Sequence, residues 1–128
     1  MQAHTTTIPG LYTLTPRKYD DERGFFAIPF QEAELAEAIP DNSFTVKQIS
    51  HSRSKRGVLR GIHAEPWHKL VYIPRGEIFV AIVDLRAGGN FGRVFTATVT
   101  EGTGIFLSPK AVGTLFKSYL KRSITSTL

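Results

Sequence analysis

The sequence predicts an all-β fold with one short helix, a sandwich or barrel of antiparallel strands. Three observations carry that prediction. Short apolar or alternating runs recur along the 128 residues, Gly and Pro punctuate the gaps between them, and only one stretch has a helix-forming composition.

The elements follow in order. Met1 to Gly10 has neither the charged start nor the apolar stretch of a signal peptide and reads as a loose N-terminus. Gly24 to Phe30 is aromatic and extended. Gln31 to Ala38 is rich in Ala, Glu and Leu and stops before Pro40, which predicts the helix. Phe44 to Ser50 alternates, with Phe44, Val46 and Gln48 on one side and Thr45 and Lys47 on the other. Leu70 to Ile73 is apolar and ends at Pro74-Arg75-Gly76. Glu77 to Asp84 is rich in β-branched residues and ends near Ala87-Gly88-Gly89-Asn90. Val94 to Thr100 alternates again, and Glu101-Gly102-Thr103-Gly104 turns into Ile105 to Leu107. No repeat or linker divides the chain, so residues 1–128 form a single predicted domain.

Composition narrows the function. The hydrophobic fraction of 41%, with nine Phe, is enough for a real core and argues against disorder. The absence of Cys excludes a disulfide framework, a thiolate metal site and a Cys nucleophile. No apolar run is long enough to span a bilayer, so a cytoplasmic protein without membrane partners is expected. The net charge of +5 is unevenly placed. Up to Glu101 twelve Lys and Arg face all eleven acids, and the remaining excess comes from Lys110, Lys117, Lys121 and Arg122. That distribution argues against a nucleic-acid surface.

The densest chemical cluster is Arg60-Gly61-Ile62-His63-Ala64-Glu65-Pro66-Trp67-His68-Lys69. An imidazole is a good general base near neutral pH, better still with a carboxylate to orient it. Asp84 closes an otherwise apolar run, where a carboxylate needs a partner. Two partners are open to it: His63, or Arg86 in an ion pair that closes the strand. Lys69 is placed to stabilise an oxyanion. Glu65 and His68 read as solvent-facing loop residues. A second cluster, Asp20-Asp21-Glu22-Arg23-Gly24-Phe25-Phe26, offers Arg23 for a phosphate and Phe25 or Phe26 for stacking, or else is a charged turn before two core aromatics. A third, Gln48 to Gly57, is polar and basic, either an anion site or a solvated loop.

The order of the motifs is informative. Asp21-Glu22-Arg23-Gly24-Phe25-Phe26, then Gly57-Val58-Leu59-Arg60-Gly61-Ile62-His63, then Lys69-Leu70-Val71, then Val83-Asp84-Leu85-Arg86 with Phe91-Gly92, resembles the dTDP-4-dehydrorhamnose 3,5-epimerase family from about Leu11 to Gly113. The loop Ala64-Glu65-Pro66-Trp67 resembles a short-loop branch of it. The resemblance implies a cupin, or double-stranded β-helix jelly roll, usually a homodimer, that epimerises a dTDP-4-keto-6-deoxy-hexose in dTDP-L-rhamnose synthesis without metal or organic cofactor. It implies His63 as base, Asp84 as the group that holds His63, and Lys69 as stabiliser of the enolate. It implies Arg23 and Arg60 at the diphosphate, and Gln48 and Phe26 at the thymidine, with an N-terminal strand supplied by the dimer partner. A related 5- or 3-epimerase and a non-catalytic nucleotide-sugar-binding cupin remain alternatives. Metal-binding cupins carry two His one residue apart, and His4, His51, His63 and His68 contain no such pair.

Three departures stand out. Ile28 and Ser50 occupy positions where the family commonly has Glu and Asn. After Gly113 the family continues with a His- or Asn-containing segment and a Tyr-rich strand that includes its proton donor, whereas this chain reads Thr114-Leu115-Phe116-Lys117 and ends at Leu128. Residues 114–128 read as a one-base-shifted frame of the family's own sequence. The expected consequence is missing or altered C-terminal strands, an open barrel, weak folding, association or insolubility, and little full epimerase activity, with His63 still able to exchange protons slowly. The coding DNA after the Gly113 codon checks the shift: a single-base change there restores an Asn-Ser-Phe-Gln stretch followed by Tyr-Ile-Tyr-Leu, and a gene in which none does so refutes it.

Overall fold

The computed structural model describes residues 1–40, 44–102, 105–118 and 122–127. Its elements are β1 (Gln2–Thr5), β2 (Tyr12–Thr15), β3 (Arg17–Asp21), β4 (Gly24–Ile28), α1 (Glu32–Ala38), β5 (Ser50–Lys55), β6 (Leu59–Ala64), β7 (Lys69–Arg75), β8 (Glu77–Asp84), β9 (Val94–Thr100), β10 (Ile105–Ser108), β11 (Val112–Ser118) and β12 (Arg122–Thr127). The strands form a six-stranded sheet, β1-β2-β10-β7-β12-β5, a four-stranded sheet, β6-β11-β8-β9, and a separate β3-β4 hairpin. Every pairing is antiparallel, and the two larger sheets face each other as a jelly roll.

Alternation builds the core. Along β8 every second residue, Ile78, Val80, Ile82 and Asp84, is buried. Ile78, Val80 and Ile82 meet Val71 and Ile73 of β7, Val99 of β9 and Val112 of β11 between the sheets. A second cluster, Leu14, Leu35, Ile39 and Leu70, seats α1 on the six-stranded sheet.

Several expectations are corrected here. Phe44 to Ile49 is not a strand: Phe44 turns back onto Phe30, with ring centroids 6.0 Å apart, and packs against the cluster under α1. The strand lies one step later, at β5, in the stretch read as a polar loop. The N-terminus is also ordered. β1 pairs with β2, and the Met1 ammonium lies 2.8 Å from Oε2 of the buried Glu34, which holds that carboxyl below its usual range. The tail does not leave the sheets open at these positions. β11 lies between β6 and β8, and β12 between β5 and β7.

The pairing of β6 with β11 contains a bulge. Thr114 faces His63 and Phe116 faces Arg60, so three steps on β6 match two on β11. Gly61, at φ +128°, takes up the extra residue. A Cβ there would lie 2.6 Å from the Thr114 carbonyl oxygen and 2.8 Å from Leu115 Cα. Gly88 has nearly the same φ, +129°, but open space around it. Gly61→Ala is therefore expected to cost about 3 kcal/mol or more, combining left-handed strain with a backbone clash. Gly88→Ala carries the strain alone, about 1–2 kcal/mol. Urea unfolding of the two variants checks the difference.

Candidate active site

The space between the sheets opens at one end into a cleft of about 760 Å³. Its floor is core, Val71 and Ile78, and its walls are polar. β5 contributes Ser52 and Ser54, and β6 contributes Arg60 and His63. The bulge at Gly61 explains the last pair. Residues three apart on a regular strand face opposite ways, and one extra residue returns Arg60 and His63 to the same side. Leu59 and Ile62 then point outward, 59% and 60% exposed.

Of the residues selected from the sequence, Gln48, Arg60, His63 and Lys69 all line this cleft. Arg60 donates through Nε to Ser54 Oγ at 2.8 Å and through Nη2 to the Arg53 carbonyl at 3.2 Å. Gln48 Nε2 donates to Ser50 Oγ at 2.8 Å. The Lys69 ammonium lies 2.5 Å from Glu65 Oε2 and donates to Thr114 Oγ1 at 3.5 Å. That hydroxyl in turn donates to the His63 carbonyl at 3.3 Å, so one buried Thr links the two strands that carry the candidate base and cation. The His63 ring bonds no other described residue and faces the cleft.

Asp84 is a correction. Its carboxylate is fully buried but does not hold His63. It accepts from Arg86: Nε to Oδ1 at 2.9 Å, Nη2 to Oδ2 at 2.6 Å, and the Arg86 backbone N–H to Oδ1 at 3.0 Å. β11 separates it from β6. Arg86 also donates to the Pro9 carbonyl at 2.8 Å, and the Asp84 backbone exchanges bonds with the turn before β9. The pair therefore ties the N-terminal loop to the β8–β9 connection. The other alternative read from the sequence, an ion pair closing the strand, is the one formed.

Arg23 and Phe26 also lie away from their own chain's cleft. Both sit on the β3-β4 hairpin, where Arg23 folds back onto Asp21 at 2.6 Å and Phe26 stacks on Tyr19 at 6.3 Å. Tyr19, Phe25 and Phe26 are 53%, 41% and 64% exposed. Glu65, His68 and Thr114 are among the cleft residues that sequence reasoning missed, and His68, read with Glu65 as solvent-facing, is half-buried on the cleft lining. Glu65, read as a solvent-facing loop residue, is half-buried against Lys69. The only signal for Glu65 was its spacing of four from Lys69 across a Pro, and Thr114 carried none.

Among the described residues no group of three or more His, Cys, Asp or Glu is placed to hold a metal, and no helix is long and apolar enough to cross a membrane. Lys47, Arg60, Lys69 and Lys110 against Glu65 make the described lining cationic, suited to an anionic ligand.

Comparison with known proteins agrees in sequence and in shape. The dTDP-4-dehydrorhamnose 3,5-epimerase family profile matches residues 5–123. The dTDP-4-dehydrorhamnose 3,5-epimerase of Methanothermobacter thermautotrophicus is 41% identical over 108 residues, 80% of this chain and 52% of that protein. RmlC of Streptococcus suis, solved in complex with dTDP-D-xylose, superposes with a TM-score of 0.91 at 28% identity, covering 98% of this chain and 67% of that one. The epimerase of Legionella pneumophila, solved with dTDP-4-keto-L-rhamnose, gives 0.89 at 31%, covering 98% and 69%. The fold is thus the cupin jelly roll of those enzymes. The chain spans between 30% and 57% of the length of the curated relatives it matches.

The Asp84–Arg86 pair generates a prediction. The Arg86 hydrogen bonds hold the Asp84 carboxyl below its usual range. A depressed folded value stabilises fully above the unfolded value of about 4, and that contribution is lost as pH falls through the folded value. Asp84→Asn is expected to cost about 3 kcal/mol at pH 7, the lower end for a broken buried pair, and to flatten the acid limb below about pH 4. Denaturant unfolding across pH 2–7 measures both.

Proposed function

Because this chain belongs to the dTDP-4-dehydrorhamnose 3,5-epimerase family, we propose that it acts on a dTDP-4-keto-6-deoxy-hexose, epimerising C3 and C5 in dTDP-L-rhamnose synthesis in the cytoplasm. The observation that carries this reading is the placement of His63 and Lys69 on one cleft, joined through Thr114.

The chemistry needs a base, an oxyanion stabiliser and an acid that returns a proton to the opposite face of the sugar; the cleft residues supply the first two, and solvent water in the open cleft supplies the returning proton. Protons at C3 and C5 are acidic because the electrons left behind delocalise onto the C4 oxygen. His63 takes the proton, and the Lys69 ammonium meets the charge that develops on that oxygen. No electron leaves the sugar, so the reaction calls for no redox cofactor. Arg60 at the cleft wall suits the diphosphate, and Gln48 the thymidine. In this reading Asp84 is structural.

Arg23 and Phe26 act in a homodimer. The hairpin presents a guanidinium and an exposed aromatic away from its own cleft, as a segment reaching into a partner's cleft would. There Arg23 meets phosphate and Phe26 stacks on the base.

The test is wash-in of deuterium from heavy water at C3 and C5 of the keto-sugar, followed by mass spectrometry and NMR. The expected result is enzyme-dependent incorporation, reduced about 10²–10⁴-fold by His63→Ala. An unchanged rate in that variant removes the assignment of the base. Exchange at one carbon only indicates a 3- or 5-epimerase, and dTDP binding without exchange indicates a nucleotide-sugar-binding cupin.

A further inference from the structure

Lys69 needs a device to hold it. A lysine side chain is long, and its ammonium must stand at a fixed point to meet a developing oxyanion. Here the side chain is only 12% exposed, and its ammonium meets two groups, Glu65 Oε2 at 2.5 Å and Thr114 Oγ1 at 3.5 Å. The first is a short, charge-assisted contact, whereas the second lies at the limit of a hydrogen bond. Glu65 therefore fixes the ammonium.

Glu65 is itself well anchored. It follows directly on β6, two residues after His63, and its carbonyl accepts from the Ala111 N–H at 2.9 Å, just before β11. Pro66-Trp67-His68 then returns the chain to Lys69 at the start of β7. Acid and cation thus stand at opposite ends of one three-residue loop that joins the two sheets. Among the described residues lining the cleft no other carboxylate competes for Lys69, and both Asp84 oxygens are occupied by Arg86.

We propose that Glu65 is a positioning residue, which acts through Lys69 and sets where that ammonium meets the reacting carbonyl of the keto-sugar. The inference rests on the reading of Lys69 given above. Glu65 leaves donor capacity on the ammonium, since Lys has three N–H donors and the structure engages two. It lowers the barrier without adding to ground-state binding, so its loss falls on kcat rather than on KM.

The experiment compares Glu65→Ala, Glu65→Asp and Lys69→Ala, together with the Glu65→Ala/Lys69→Ala double variant, in the deuterium exchange assay. Glu65→Ala is expected to lower the exchange kcat about 10- to 100-fold with KM within about twofold, as for a misplaced catalytic group. Glu65→Asp recovers part of the loss, because the charge returns on a shorter arm. In the Lys69→Ala background Glu65→Ala adds no further loss, because nothing remains for it to position. The same further loss in that background overturns the proposal, as does an unchanged kcat in the single variant. A second measurement does not depend on the reaction. The rate of acylation of Lys69 by a small amine-reactive ester, read by peptide mass spectrometry, is expected to rise several-fold in Glu65→Ala against the exposed Lys117 as internal reference. If the wild-type chain exchanges no deuterium but Lys69 labelling rises, the functional reading fails and the positioning role stands. If Lys69 labelling is unchanged, the positioning role fails.

Discussion

The site depends on the ladder that strand β11 makes on both of its sides. Toward β8 the pairing is regular over Val112 to Ser118, and toward β6 it is interrupted once, at Gly61. Among the described residues β6 is at the edge of its sheet and pairs with β11 alone, which holds His63 and Arg60 in place. The contact is close at a glycine on each strand. A Cβ at Gly113 would lie 2.6 Å from Ile62 Cγ2 and 2.9 Å from Val83 Cγ1, both side-chain atoms, whereas a Cβ at Gly61 would meet backbone. Thr114 adds a polar link, accepting from Lys69 and donating to the His63 carbonyl. The position of the candidate base is thus set by Gly113 and the residues that follow it on β11, all of which fall within the family match.

The molecule sorts its buried charges by what they meet. Asp84 and Glu34 both lie in apolar surroundings and are both spent on cations, Arg86 and the Met1 ammonium. Each closes a peripheral segment onto the barrel, Arg86 through Pro9 and Met1 through helix α1. Such pairs cost much to break and contribute modestly once formed, so they specify which segments meet more than they add stability. Glu65 differs because it is half-buried at a solvent-open cleft and its cation faces a ligand site. A carboxylate in an apolar run, the feature that drew attention to Asp84, therefore marks an architectural pair here, while the acid that contacts the candidate cation Lys69 lies in a loop with no hydrophobic pattern around it.

How far the sequence could be read follows from the same sorting. β8 and β9 are legible to the residue, because Ile78, Val80, Ile82 and Val99 face the core in strict alternation with outward residues. β5 is illegible by hydropathy: Ser52 and Ser54 face the cleft while Arg53 and Lys55 face solvent, so both faces are polar. β6 inverts the usual pattern, with Leu59 and Ile62 outside and Arg60 and His63 inside, and its bulge breaks the period as well. Phe44 to Ser50 misleads in the opposite sense, since Phe44 is anchored by Phe30 rather than by a sheet. The cleft residues Arg60, His63 and Lys69 were found through motif order, which records chemistry directly. The Asp84–Arg86 pairing and the Thr114 link depend on strand order, which no local pattern in the sequence encodes.

A polar-lined strand pair at the edge of a jelly roll has a cost, and the structure indicates how the fold meets it. Apolar packing between the sheets is concentrated around β7 and β8, where Val71, Ile73, Ile78, Val80 and Ile82 are at most 2% exposed. Toward β5 and β6 that packing gives way to Ser52, Ser54, Arg60 and His63, which bury little and leave room for a ligand. Those outer strands therefore gain little from the hydrophobic effect and rely on backbone ladders with β11 and β12. A ligand that fills the cleft restores the missing contacts between the sheets and stabilises the folded state in proportion to its occupancy. The diphosphate proposed for Arg60 would bring negative charge to a lining that carries Lys47, Arg60, Lys69 and Lys110, so ligand binding and the folding of this end of the barrel are linked.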